Sequence, residues 1–266
     1  MKKHLLFMLG EAIATIAFVF MLVLISPAAK ADIGSRLLSE APGLDKSVAK
    51  RAAKAVRCST KKGSEPKMLI VVDMSKPATK KRLYAFDLKA NKLVTTALVA
   101  HGKGSDPSFT GVPKTFGNEV NSGMTSLGLY QVAEAYYGKH GPARRLDGLT
   151  RGFNDRARER AVVMHSSKYV KPGAVGRSLG CPAVEPATLD LLEKAGLSGA
   201  LLWIDGRDKE LERAVETCGA SYKAKPAKEA KQKSKQTDDG KEEPVELSPW
   251  LETTCQLRNV FLGQTS

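Results

Sequence analysis

Between Met68 and Ile204 the chain carries six short apolar runs, and none is long enough to be a typical buried helix. They are Met68–Val72, Leu83–Phe86, Leu93–Ala100, Leu127–Ala133, Ala161–Met164 and Ala200–Ile204. β-branched and aromatic residues are common in them, and turn formers such as Asn91 lie between. Only Asn154–Arg160 and Ala187–Ala195 read as helices in this stretch. Short strands joined by tight turns predict a mainly β fold with few helices, a sandwich or barrel-like core rather than an α/β layer.

The flanks are of another kind. Leu44, Val48, Ala52 and Val56 recur every four residues among lysines and arginines, so residues 32–65 are expected to form an amphipathic helical segment. Residues 207–222 suit a closing helix. Residues 223–246 are rich in Lys, Glu, Gln and Pro and nearly without apolar side chains, which predicts a disordered charged linker. Apolar side chains return in the tail, residues 247–266. At the other end, Lys2 and Lys3 precede an apolar run from about Leu5 to Ile25, and Ala29-Lys30-Ala31 offers small residues for cleavage. Residues 1–31 are expected to be a signal peptide, with a membrane anchor as the alternative; either exports the chain to the periplasm or cell envelope.

Export changes the meaning of the charge. The formal net charge is +14, and removing residues 1–31 with Lys2, Lys3, Lys30 and Glu11 leaves +12. No nucleic-acid-reading motif accompanies it, so anionic envelope polymers or a membrane surface are the expected partners rather than nucleic acid. Four cysteines follow the leader: Cys58, Cys181, Cys218 and Cys255. None lies in a CxxC pair, and Cys218 with Cys255 is the expected disulfide, because it would tether the tail.

The chemistry concentrates in two segments. His165 ends the apolar run Val162-Val163-Met164 and is followed by Ser166. Cys181 closes Gly176-Arg177-Ser178-Leu179-Gly180 sixteen residues later. The thiolate is the attacking species, and an ordinary thiol with a pKa of about 8.5 is mostly protonated at neutral pH. A neighbouring imidazole can take the proton. A tight glycine turn exposes the sulfur and aims backbone N–H groups, here those of Gly180 and Cys181, at an oxyanion. One His and one Cys supply two of the four ligands of a zinc site, so no metal or other cofactor is expected.

His165 with Ser178-x-Gly180-Cys181 resembles the His…[Ser/Thr]-His-Gly-Cys signature of the L,D-transpeptidase (YkuD-type) catalytic domain. Val72–Pro77, Ala100–Ser105, Thr125–Tyr130, Leu146–Leu149 and Arg177–Ala183 resemble segments of its murein branch, and the likeness spans roughly residues 66–206. The resemblance implies a β-sandwich catalytic core acting on peptidoglycan stem peptides. Cys181 would attack the carbonyl of residue three of a tetrapeptide and release D-Ala. The thioester would pass to an amine, giving a 3→3 cross-link, or to water, as in a carboxypeptidase or endopeptidase. His165 is then the base, Gly180 part of the oxyanion turn, and Ser178 the hydroxyl that shapes the loop. A non-catalytic wall-binding protein is the reading from a different class. Two departures stand out: Leu179 replaces a second His, and Ala183 replaces an Arg or Asn whose carboxylate contact falls to Arg177.

Arg177, His101, Tyr130 and Ser166 complete the candidates for substrate contact. His101 either lines the groove or begins a loop at Gly102, and Tyr130 either presents its hydroxyl or is a sheet aromatic. Asp147 and Asp155 orient the imidazole or serve as turn and helix-start residues. Arg144, Arg145 and the Arg156–Arg160 cluster read stem carboxylates or form a solvated face.

Overall fold

The structure is a computed structural model that describes residues 32–60, 66–138 and 141–218. Two helices come first. Asp32 caps α1 (Ile33–Glu40) by accepting from the Gly34 N–H at 3.0 Å. Asp45 caps α2 (Lys46–Ser59) through the Ser47 and Val48 N–H groups. Val48, Ala52 and Val56 recur on one face of α2 and are buried, as their spacing predicts. The alanines between them let the helix lie close on the sheet.

That sheet has eight strands: β1 (Met68–Asp73), β2 (Leu83–Asp87), β3 (Lys92–Ala97), β4 (Gly128–Gly138), β5 (Gly141–Gly148), β6 (Val163–Ser166), β9 (Ala183–Val184) and β10 (Leu201–Asp205). Their order is β3-β2-β1-β10-β4-β5-β6-β9. β1 is buried along its whole length because β2 and β10 pair with both its edges. Past β3 the chain returns to the far edge, where the Ala100 N–H donates to the Ala183 carbonyl at 2.8 Å. The sheet therefore coils into a nearly closed barrel, so the mainly β expectation holds in its barrel-like form. A small hairpin of β7 (Val170–Lys171) and β8 (Ala174–Val175) forms part of the connection from β6 to β9. Its Val170 and Val175 pack with Leu98, Ala100 and Ala183 in a satellite core at the seam.

Two helices follow β9: α3 (Pro186–Ala195), and α4 (Lys209–Glu216) beyond β10. Arg51 of α2 binds Asp205 of β10 at 2.8 Å and Glu212 of α4 at 2.6 Å, which draws both helices together. Their ends are joined by a Cys58–Cys218 disulfide with Cα atoms 5.3 Å apart. The expected Cys218–Cys255 pairing is thereby corrected. Packing of α2 against α4 places Cys58 at the end of α4, a proximity that a sequence separation of 160 conceals.

Two further expectations differ. Residues 154–160 form successive turns rather than a helix. The Asn154 side chain accepts from the Thr150 N–H and donates to the Leu129 carbonyl, tying this loop to the sheet instead of letting it wind. β5 is a strand that no apolar run announced. Among the described residues no helix is long and apolar enough to cross a membrane. The expected leader, linker and tail lie outside the described residues.

Candidate active site

β6 and β9 run parallel with His165 opposite Ala183 and Ser166 opposite Val184. The ladder stops at Ala183, and Cys181, two residues before it, reaches β6 through its side chain. The Val163 N–H does meet Cys181 Sγ, at 3.5 Å. Alternation along a strand puts Val163 and His165 on one face, while Met164 between them points into the core. Cys181 Sγ thus stands at Val163, two residues from His165 along β6, which is about 7 Å along the strand direction. The chain folds them together after sixteen residues by leaving the sheet through the β7–β8 hairpin and returning.

The turn carrying Cys181 is fixed by Ser178. Its hydroxyl accepts from the Gly180 N–H at 3.0 Å and donates to the Cys181 carbonyl at 2.7 Å. Its backbone is held as well: the Ser178 N–H donates to the His101 carbonyl, and the Lys103 N–H to the Ser178 carbonyl. Gly180 has φ +122, and a Cβ there would lie 2.6 Å from the Met124 carbonyl oxygen. A Cβ on Gly102 would lie 2.9 Å from Gly180 Cα. Both positions need glycine because two loops cross in contact beneath the sulfur.

His165 Nδ1 is 2.9 Å from the Ser166 carbonyl, a partner that only accepts. Nδ1 of the neutral ring therefore carries the proton, and Nε2 presents the lone pair. Burial pushes the Cys181 thiol up; the Val163 N–H and the positive charge of Arg160 partly offset this. A raised thiol pKa favours the protonated sulfur, so any attack by it would require a base.

His101 is 1% exposed and lies under the turn rather than in a groove. Its Nδ1 accepts from Arg82 Nη2 at 2.8 Å, and Nε2 faces Asp106 Oδ2 at 3.3 Å. Burial first, and then the Arg82 charge, push the imidazole down to about 4, with Asp106 opposing. Tyr130 is fully buried, its hydroxyl held by the Ser126 carbonyl and hydroxyl at 2.8 and 2.7 Å. Neither side chain can touch a substrate in this arrangement; both support the site from within. The Gly180 N–H, expected at the oxyanion, is already taken by Ser178 Oγ.

Arg177 reaches over to the Asp106 and Pro107 carbonyls, and its guanidinium lies 4.3 Å from the Phe109 ring. Ser166 lends its carbonyl to His165. Asp147 is paired with Arg158, and Asp155 with the Asn118 side chain and the Gly152 N–H, so neither is engaged with the imidazole.

Two neighbours of the thiol were not singled out from sequence. Arg160 donates to the Gly117 and Met124 carbonyls and to Ser126 Oγ, and it packs against Gly180. Nothing local distinguishes it from the other arginines of its cluster. Tyr169 precedes the hairpin; burial raises its hydroxyl, and nearby Cys181 adds to the rise. Among the described residues no group of three or more His, Cys, Asp and Glu side chains is placed to hold a metal ion.

No curated protein sequence matches the chain. Similar solved structures include an L,D-transpeptidase from Mycobacterium smegmatis, 14% identical over 53% of this chain, with a TM-score of 0.33. The match spans 59% of that protein's length. An L,D-transpeptidase from Stackebrandtia nassauensis is 10% identical over 66% of this chain and 77% of its own, with a TM-score of 0.35. One from Xylanimonas cellulosilytica is 14% identical over 66% and 93%, with a TM-score of 0.32. A family model described as the L,D-transpeptidase catalytic domain matches residues 40–204, more than half of the sequence and the whole of the Cys181–His165 site. On that match the chain belongs to the L,D-transpeptidase catalytic-domain family.

Proposed function

We propose that the chain is an exported cysteine L,D-transpeptidase that cross-links peptidoglycan stems. The observation that carries this reading is that Cys181, on a turn clamped by Ser178, meets β6 at Val163, two residues from His165. His165 Nε2 takes the thiol proton as sulfur attacks the carbonyl of residue three of a tetrapeptide. The oxyanion forms at the Cys181 N–H, because the Gly180 N–H is engaged by Ser178. The tetrahedral intermediate collapses to a thioester, and D-Ala departs with the proton from His165. An amine of a second stem then gives its proton to His165 and attacks the thioester, which yields the 3→3 cross-link and returns the thiol. Arg177, beside the turn, would have to leave the Asp106 and Pro107 carbonyls to meet a substrate carboxylate.

Export to the periplasm or cell envelope is part of the proposal. The Cys58–Cys218 disulfide supports it, since such bonds persist in oxidising compartments. The net charge of +14 supports contact with anionic wall polymers or a membrane surface.

The test incubates the protein with disaccharide-tetrapeptide muropeptides and follows products by mass spectrometry, with Cys181→Ala and His165→Ala as controls. Loss of D-Ala, an acyl adduct on the intact protein and a new dimer, all dependent on Cys181, are expected. D-Ala loss without a dimer would place water in the acceptor role, as in a carboxypeptidase. No adduct and no product, with binding to sacculi retained, would replace the enzyme by a wall-binding protein.

A further inference from the structure

The sheet face that holds Cys181 and His165 does not end at β6. β5 pairs with β6 so that Ala143 is opposite His165 and Arg145 opposite Val163. β4 pairs with β5 so that Tyr136 is opposite Ala143. Tyr136, Ala143, His165 and Ala183 therefore form one row, and Arg145 and Val163 stand in the next, with Cys181 Sγ at the Val163 N–H. Side chains in a row leave the same face of a sheet. The Arg145 guanidinium lies 4.6 Å from the Tyr136 ring centre, so the two make one cationic, aromatic shelf.

The neighbouring arginines are otherwise engaged. Arg144 points to the opposite face, where Glu193 of α3 binds it at 2.6 and 2.7 Å. Arg156 pairs with Glu119 and Glu159. Arg158 is held by Glu134 and Asp147. Arg160 is committed to carbonyls under the Cys181 turn. Arg145 has a looser ion pair, 3.5 Å from a Glu134 that Arg158 already grips with two hydrogen bonds. Arg145 is 32% exposed and Tyr136 40% exposed, which leaves the shelf open to solvent.

We propose that Arg145 and Tyr136 form a specificity subsite that binds a carboxylate of the acyl-donor peptide. This rests on the reading of Cys181 as the acylated nucleophile. Two strand spacings of about 4.8 Å separate Cys181 from Arg145 across the sheet. That span of about 10 Å equals roughly three residues of extended peptide at about 3.3–3.6 Å each. The site is therefore matched to an anionic peptide whose free carboxylate lies two to three residues from the scissile carbonyl. Guanidinium recognises carboxylate by paired charge-assisted hydrogen bonds, and Tyr136 keeps the guanidinium plane upright.

The experiment has two arms on the full chain. In the first, isothermal titration measures binding of the tetrapeptide stem, and of its side-chain-amidated form, to Cys181→Ala protein with and without Arg145→Gln. The free acid is expected to bind about tenfold tighter than the amide, and Arg145→Gln should abolish that preference while thermal stability is kept. Arg145→Lys should retain part of it. Equal loss of both peptides, or a preference that survives Arg145→Gln, overturns the subsite. In the second arm, acylation of the otherwise unaltered protein is followed by intact mass. There Arg145→Gln should raise KM about tenfold and leave the limiting acylation rate within about twofold, and a fall in rate with KM unchanged also overturns it. If the unaltered protein forms no adduct, the nucleophile reading falls, while the binding arm still decides the shelf.

Discussion

Acid should unfold this protein through His101, and the size of the effect follows from the surroundings of that ring. His101 is buried, accepts from Arg82 and faces Asp106. Burial and the Arg82 charge lower its pKa from 6.5 to about 4. Above pH 6.5 the ring is neutral in both folded and unfolded chains, and its contribution is fully present. As pH falls below 6.5 the unfolded chain gains a proton that the folded chain refuses, so stability declines until the folded pKa is passed. At about 1.4 kcal/mol per unit, the whole loss is about 3 kcal/mol, and about 2 kcal/mol is gone by pH 5. Asp106, lowered from 3.8 chiefly by hydrogen bonds from Thr110 and Gly111 acting against burial, titrates below this window. The slope between pH 6.5 and 4 that His101→Gln removes is therefore the histidine's own. Urea unfolding followed by tryptophan fluorescence and circular dichroism at pH 7.5, 6 and 5 measures it. The gap in stability between the unaltered protein and His101→Gln should shrink by about 2 kcal/mol from pH 7.5 to 5, a shift of the relative midpoints by about 1 M urea. A gap that stays constant would mean that the folded ring protonates as readily as the unfolded one, and the Arg82–His101–Asp106 arrangement would be refuted.

Ser178→Ala leaves the Gly180 N–H and the Cys181 carbonyl without their shared hydroxyl, a cost of about 1–3 kcal/mol. Acylation should slow by about tenfold to a hundredfold with KM little changed, and an unchanged rate would remove Ser178 from the turn's support. Burial raises the Cys181 thiol, so alkylation by iodoacetamide, read by intact mass, should be slower at pH 7 than for an ordinary cysteine. Its rate should keep climbing past the ordinary thiol range of about 8.5, whereas a plateau near neutral pH would indicate a preformed thiolate. Cys58 and Cys218 close a loop with a separation of 160 residues, which in the chain-entropy picture stabilises by up to about 5 kcal/mol. Reduction, or the double change Cys58→Ser and Cys218→Ser, should lower the urea midpoint accordingly, and an unmoved midpoint would exclude this pairing.

What was legible in the sequence depended on whether a residue's neighbours in the chain are also its neighbours in space. Met68–Val72 read as a buried strand because both its faces are covered, leaving a continuous apolar run. β5 escaped notice because Arg144 on one face meets Glu193 and Arg145 on the other meets solvent, so neither face is uniformly apolar. Asn154–Arg160 has helical composition, but the Asn154 side chain competes with the helix for backbone groups. The candidate pair was legible as a pair because His165 ends an apolar strand and Cys181 sits in a glycine turn, both local signals. His101 and Tyr130 carry the right side chains for a substrate contact, yet burial is decided by the loops folded over them from residues 102–126, which no local pattern records. Arg160 is simply the third arginine of its cluster until the fold sets it against Gly180.

The reactive turn lies where the barrel closes, and this has an energetic consequence. The Ala100–Ala183 hydrogen bond, the Gly102–Ser178 bridge and the His101 carbonyl bond to the Ser178 N–H join the first and last edges of the sheet. Those same contacts hold the backbone on which Cys181 is carried. β9 is only two residues long, and at Cys181 the sulfur rather than a backbone carbonyl accepts from the Val163 N–H. A change that loosens the seam at His101, Gly102, Ser178 or Gly180 therefore acts on stability and on the nucleophile's geometry together, and the two effects should scale with each other across a mutant series. Tyr136 and Arg145 stand on β4 and β5, away from the seam, and their contacts end at the surface. If Arg145 and Tyr136 select the peptide and Cys181 attacks it, substitutions on the shelf should change which peptide is accepted while leaving the fold and the thiol untouched.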